Sequence, residues 1–395
     1  MTYFETITSK SALRKHQQEY APLYRWQQHE LRSPSGWSRR ELFASRVVVR
    51  HVGGGVLKYP TPSTSAIIPP PRRLPSSELS KIIAPLRPGD ESLTETELIH
   101  RLGGTAGMFW AALHRFTRER SATTSTTRID ANTQHTDYID SGKIKIASSS
   151  PAPQQSSSFG SDNAGHVSRE EHSACAVSED ATVQLASTFL RHALVHCPQQ
   201  YVSVDGNSPQ LLLEFSGIRR RIFTRFSDQT LELEATADGE VVLLRRNQTG
   251  RFDHGEALVL LEGKRRFKLI HEGRPVIPDE ELGQMVGEAL ALRLSLAAEQ
   301  IGHSEETIVI IMATRQYLCF LSFHIPDAYV EKALHPGFYN NNEDRGPESE
   351  DEAEEGGFIS VRASDWLDLN TECCRQLAYD NVTAFVDWQL QSQYV

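Results

Sequence analysis

No run of about 18 apolar residues occurs in the chain, so no segment is expected to cross a membrane as a helix. Residues 1–15 also lack the apolar stretch of a signal peptide, and the expected location is intracellular, nucleus or cytoplasm. Cysteine is scarce. Cys175, Cys197, Cys319, Cys373 and Cys374 form an odd set with no CxxC pair and no histidine spaced to complete a zinc site. That excludes a disulfide scaffold and reads as reduced thiols. Hydrophobic residues make up only 39% of the 395 positions, so part of the chain is expected to pack no core. Positive charge is not in excess: 41 Lys/Arg stand against 51 Asp/Glu, a net charge of −10. A uniformly basic nucleic-acid coat protein is thereby excluded.

Several signatures are missing too. Gly53-Gly54-Gly55 and the Gly103-to-Gly107 stretch are not followed by Gly-Lys-Ser/Thr, so neither is a phosphate loop. No G-x-S-x-G, zinc finger, helix-turn-helix signature or RNA-recognition strand motif is visible.

What is present is unevenly distributed. Residues 1–75 carry 12 Lys/Arg and 4 Asp/Glu, interleaved with Tyr3, Phe4, Tyr20, Tyr24, Trp26, Trp37, Phe43 and Tyr59. Such a segment either binds nucleic acid by phosphate attraction and base stacking or packs its aromatics on a main domain. The second reading is preferred. Pro60 to Pro75 reads as an extended linker. A short helical segment is expected within 90–120. Residues 1–120 are thus expected to form a largely irregular N-terminal extension. Residues 121–172 are rich in Ser, Thr and Gln, bury too little to offset ordering entropy, and read as a disordered linker.

From 173 to 395 the pattern changes. Ser178-Glu179-Asp180 opens a helix. Strands are expected at 211–215, 221–226, 230–235, 240–246 and 256–266, with Asp238-Gly239 as a hairpin turn. A helix follows from Asp279 to Gln300, then strands at 307–312 and 317–325. An acidic loop spans 340–357, and a final helix runs from Ser364 to Gln391. The order implies an α/β domain whose mixed sheet is flanked by helices.

The segment richest in chemistry is 251–266. Glu262 and Lys264 stand two apart at the end of an apolar strand and so share one face. A carboxylate and an ammonium there are costly unless paired or used. Asp253 precedes His254-Gly255, a bend that could return it to Glu262. Two converging carboxylates suit Mg²⁺ or Mn²⁺, and a nearby lysine suits a water aimed at a phosphodiester. The alternative is a surface hairpin whose charges merely pair. Gln284 and Glu288 share one face of the next helix. Arg219-Arg220-Arg221, Arg245-Arg246 and Arg265-Arg266 could attract a phosphate backbone, or simply balance acids at strand ends.

Asp253, Glu262-Gly263-Lys264 and the helix bearing Gln284 and Glu288 resemble the PD-(D/E)XK nuclease superfamily, and more closely its nuclease-like domains in fungal proteins. The likeness covers roughly residues 175–335. It implies a restriction-endonuclease-like core that cleaves nucleic acid, with Asp253 and Glu262 as metal ligands and Lys264, Gln284 and Glu288 as catalytic residues. Arg245, Arg246, Arg265 and Arg266 would face nucleic acid, and Glu179 could assist from the preceding helix. The pattern departs in two places: Phe252 stands where a proline is usual, and the gap from Asp253 to Glu262 is short. Glu234 or Glu240 could replace Asp253. A catalytically silent module that binds nucleic acid or a protein is the alternative function.

Overall fold

The structure is a computed structural model. It describes residues 1–16, 19–23, 26, 31–53, 55–59, 77–126, 178–201, 211–226, 231–247, 249, 251–298, 306–334 and 357–392. The Pro60–Pro75 linker, nearly all of the 121–172 linker and nearly all of the acidic loop lie outside these residues.

The described helices are α1 Tyr3–Thr6, α2 Lys10–Arg14, α3 Arg39–Ala44, α4 Ser77–Ile83, α5 Glu95–Leu102, α6 Gly104–Thr126, α7 Glu179–Val195, α8 Asp279–Ala298, α9 Asp327–Leu334 and α10 Glu372–Ser392. The strands are β1 Val47–His51, β2 Leu211–Ser216, β3 Arg220–Phe226, β4 Leu231–Ala237, β5 Gly239–Arg246, β6 Phe252–Lys264, β7 Ile270–His271, β8 Arg274–Pro275, β9 Thr307–Thr314, β10 Tyr317–His324, β11 Ile359–Ala363 and β12 Leu367–Asp368. Eight strands form one mixed sheet in the order β1-β11-β10-β9-β6-β5-β2, with β12 alongside β10. β6 and β9 are parallel and joined through α8, whereas β2, β5 and β6 pair antiparallel. The expected mixed α/β architecture is therefore present.

Two apolar layers cover the sheet. On one side α8 packs with α1 to α3, α9 and the β3–β4 hairpin, around Tyr3, Trp37, Leu260, Met285 and Leu290. On the other, α4 to α7 and α10 pack around Phe109, Phe189, Leu261, Phe320 and Phe385. β9 is buried on both faces along its whole length, as its run of Ile, Val and Met demands. Among the described residues no helix is long and apolar enough to cross a membrane.

Four expectations are corrected. First, residues 1–120 are not a largely irregular extension, although their aromatics do pack on the main body as preferred. β1 extends the main sheet beside β11, and Tyr3, Trp37, Phe43 and Phe109 lie in the two cores. Their apolar rings gain more by burial there than by exposure in an arm. Arg375 of α10 fastens this portion from the far end of the chain, donating to the Ile83 and Leu369 carbonyls while lying over the Trp110 ring. Second, Asp238-Gly239 is not a hairpin turn. β4 pairs with β3, β5 pairs with β2 and β6, and Asp238 is the kink where the chain crosses between sheets. Third, His254-Gly255 makes no bend. β6 runs unbroken from Phe252 to Lys264, and Gly255 lies where β5 and β6 shift register. A Cβ there would stand 1.1 Å from the Leu243 carbonyl oxygen, so the glycine serves close backbone approach. Fourth, the two-residue strand β12 occupies the stretch in which the last helix was expected to begin, and α10 starts only at Glu372.

Candidate active site at the end of strand β6

The carboxyl end of β6 brings Glu262 and Lys264 onto the face covered by α8, as their two-residue spacing requires. Lys264 Nζ lies 2.6 Å from Glu262 Oε1 and donates to Gln284 Oε1 at 2.8 Å. Gln284 Nε2 donates in turn to Glu262 Oε1 at 2.6 Å and to Glu288 Oε1 at 2.8 Å. Gln284 thus bridges three charged side chains, from one turn of α8 to one end of β6. The side chain of Glu262 is 5% exposed and that of Lys264 17% exposed, so the lysine marks the side open to solvent.

Asp238 lies beside this group, and its charge is felt at Glu262. It precedes Gly239, which stands opposite Leu261, so it sits beside the end of β6. Its backbone N–H donates to the Leu261 carbonyl at 3.0 Å, and its Oδ2 accepts from the Gly263 N–H at 3.0 Å. Arg219 Nε lies 3.2 Å from its Oδ1. Glu179, at the start of α7, approaches from the other sheet face: its Cγ is 3.7 Å from where a Cβ on Gly263 would stand. Glu281, one turn before Gln284, is buried and lies 3.4 Å from Lys268.

Burial sets the ionisation of these acids. Burial pushes Glu262 up to about 7, against the opposing pull of Lys264. Glu288 is raised well above the usual carboxylate range, first by burial and then by the Glu262 charge. Burial also raises Glu281. Burial alone would lower Lys264, but the Glu262 charge and hydrogen bond outweigh it, and the ammonium is held above its ordinary value. Glu288 Oε2 is buried with no hydrogen-bond partner. The group thus lacks a donor at Glu288 Oε2. Among the described residues no three His, Cys, Asp or Glu side chains meet the spacing of a metal cage.

Glu262, Lys264, Gln284 and Glu288 are therefore brought together. Asp253 is not part of the group. Its backbone stands opposite Arg245, nine residues back along an unbroken strand, roughly 25–30 Å from Glu262. The two candidate substitutes are engaged elsewhere: Glu234 pairs with Arg221 at 2.5 Å and Glu240 with Arg220 at 2.7 Å. The arginines divide similarly. Arg265 and Arg266 are exposed and follow Lys264 directly, whereas Arg245 and Arg246 lie at the far end of β5, opposite Asp253 and Phe252. Asp238 was the functional candidate hidden by its own sequence. An Asp-Gly pair between two β-patterned runs reads as a turn, and only the pairing of β5 with β6 places it beside the end of β6. No protein-family model matches the chain, and comparison with curated proteins gives no match.

Proposed function

We propose that the end of β6 is a divalent-cation-dependent phosphodiester-cleaving centre of the PD-(D/E)XK type. The observation that carries this reading is the bonded group of Glu262, Lys264 and Gln284 at the end of β6, with Asp238 held beside it by the Gly263 N–H. The order of elements supports it: helix α7, the antiparallel strands β2, β5 and β6, crossover helix α8 and parallel strand β9 form the helix–three strands–helix–strand run expected of a restriction-endonuclease-like core.

Asp238, at the kink leading into β5, and Glu262, at the end of β6, supply hard oxygen donors. Asp238 and Glu262 would hold Mg²⁺ or Mn²⁺, which supplies Lewis-acid activation of a phosphodiester when bound. Lys264, kept charged at neutral pH, orients the attacking water and offsets negative charge that develops on phosphate. Gln284 fixes the Lys264 and Glu262 rotamers through hydrogen bonds to both. Exposed Arg265 and Arg266 suit a nucleic-acid backbone beside the site and read no base.

The test is cleavage of mixed DNA and RNA with Mg²⁺ or Mn²⁺ by the wild type and by Lys264→Ala. Loss of about 100-fold or more in the variant supports the reading, as expected for removal of a group acting on the transition state. Cleavage that survives in Lys264→Ala contradicts it. A second reading, a silent module of the same fold, draws on one observation: Glu262, Lys264 and Gln284 already satisfy one another. Salt-sensitive nucleic-acid binding without cleavage would favour it.

A further inference from the structure

α8 carries Gln284 and Glu288 into the site, and its seating depends on two glycines just beside them. Gly283 and Gly287 are one turn apart. At about 100° per residue they lie on a flank of the helix adjoining, not opposite, the site-facing side. The turn Pro34–Gly36 and the following Trp37 fill that flank. A Cβ on Gly287 would stand 2.7 Å from Pro34 Cβ and 2.9 Å from its Cγ. A Cβ on Gly283 would stand 2.9 Å from the Trp37 carbonyl carbon and 3.1 Å from Ser38 N. Neither position leaves room for any side chain, so the two backbones are as close as glycine permits.

The turn itself is held firmly. Trp37 is fully buried and its indole N–H donates to the Arg32 carbonyl at 2.8 Å. Ser38 and Glu41 close a capping box at the start of α3. The first residue of α8 is tied down as well: Asp279 accepts from Tyr3 N–H at 2.6 Å and lies 3.4 Å from Arg39. The start of the helix is thus pinned, and its separation from the turn is set at Gly283 and Gly287.

We infer that the Pro34–Trp37 turn, seated in the Gly283/Gly287 notch, is the positioning element that holds Gln284 against Lys264 and Glu262. This deepens the reading of the site given above. Pro34 and Gly287 are positioning residues, since neither touches the charged group. A methyl carbon 2.7 Å from Pro34 Cβ is about 1 Å short of ordinary contact, and a shift of α8 by that much would carry the Gln284 bonds of 2.6 and 2.8 Å beyond hydrogen-bond range without unfolding the helix.

The test uses Gly287→Ala, Pro34→Gly and the double variant in the full-length chain. The readout independent of activity is solvent exchange of the Gln284 side-chain amide, followed by NMR and assigned with Gln284→Glu. Gly287→Ala should speed exchange about tenfold, the worth of one net hydrogen bond. Alanine is the better helix former, so α8 itself should not weaken. The double variant, which removes the ring that the new methyl meets, should return exchange close to the wild-type rate. In cleavage assays the same pattern should appear in kcat with KM little changed. Unchanged Gln284 exchange in Gly287→Ala would overturn the inference, as would failure of the double variant to rescue. Should Gly287→Ala not fold, Pro34→Gly alone decides: faster Gln284 exchange supports the inference, and an unchanged rate refutes it. Absence of wild-type cleavage would count against the nuclease reading only, because the exchange measurement stands apart from it.

Discussion

Glu288 is a carboxyl that folding keeps protonated. Its folded pKa lies above the unfolded value, so the folded chain holds a proton that the unfolded chain releases. Stability from this group is complete below the ordinary carboxylate pKa and falls as pH rises toward the folded value. Glu262, raised to about 7, acts in the same sense between roughly pH 4.5 and 7. Glu288→Gln, which mimics the protonated acid, should therefore cost at most about 1 kcal/mol at pH 5 and gain on the wild type as pH rises to 8. Denaturant melts at both pH values measure this; a variant that loses ground as pH rises contradicts it. His192 works the other way. It is buried, it bonds to Thr105 Oγ1 and the Glu78 carbonyl, and burial lowers it to about 4. Its contribution is present above about pH 6.5 and is lost as pH falls toward 4. His192→Asn should flatten the acid side of the stability profile, and an unchanged acid limb would count against this assignment.

At the scale of elements, the close approach of α7 to β6 rests on Gly263. A Cβ there would lie 2.4 Å from Val183 Cγ2 and 3.3 Å from Asp238 Oδ2. Gly263→Ala should cost about 1–3 kcal/mol by overpacking, and Val183→Ala in the same chain should recover part of it. Thermal denaturation of the three variants checks this; a silent Gly263→Ala would mean that the strand and helix have room to spare. The same strand shows what was legible in the sequence. The apolar run with Glu262 and Lys264 at its end marks β6, and Pro278 followed by three acids marks the start of α8. The Gln284–Glu288 spacing correctly gives one helix face. Asp238 was illegible because an Asp-Gly pair has the same local chemistry in a tight turn and in a kink between sheets. Gly255 misled in the same way: a glycine needed for close backbone contact looks like one needed for a bend. Pairing partners decide both cases, and they lie far away in sequence.

At the scale of the whole molecule, the chain before residue 120 belongs to the folded body. β1 is an outer strand of the main sheet, and aromatics of residues 1–120 fill parts of both apolar layers. Packing of the aromatics on the main body is the preferred reading of the sequence; β1 was not foreseen, because its strand partner β11 lies more than 300 residues later. A chain starting at residue 173 should therefore lack a stable fold, exposing the apolar faces of α7, α8 and α10. Arg375→Ala in the full chain should cost about 3 kcal/mol or more, because it leaves the Ile83 and Leu369 carbonyls unpaired beneath Trp110. Circular dichroism and dye binding test the first expectation and denaturant melts the second; a cooperative, compact 173–395 fragment would contradict the integrated fold.

The most direct test of the central claim sets Asp238 against Asp253. In Mg²⁺- or Mn²⁺-dependent cleavage of mixed DNA and RNA, Asp238→Asn should lose activity as fully as Lys264→Ala, while Asp253→Asn retains it. Activity that survives Asp238→Asn but not Asp253→Asn, or a wild type that cleaves nothing, would contradict the account.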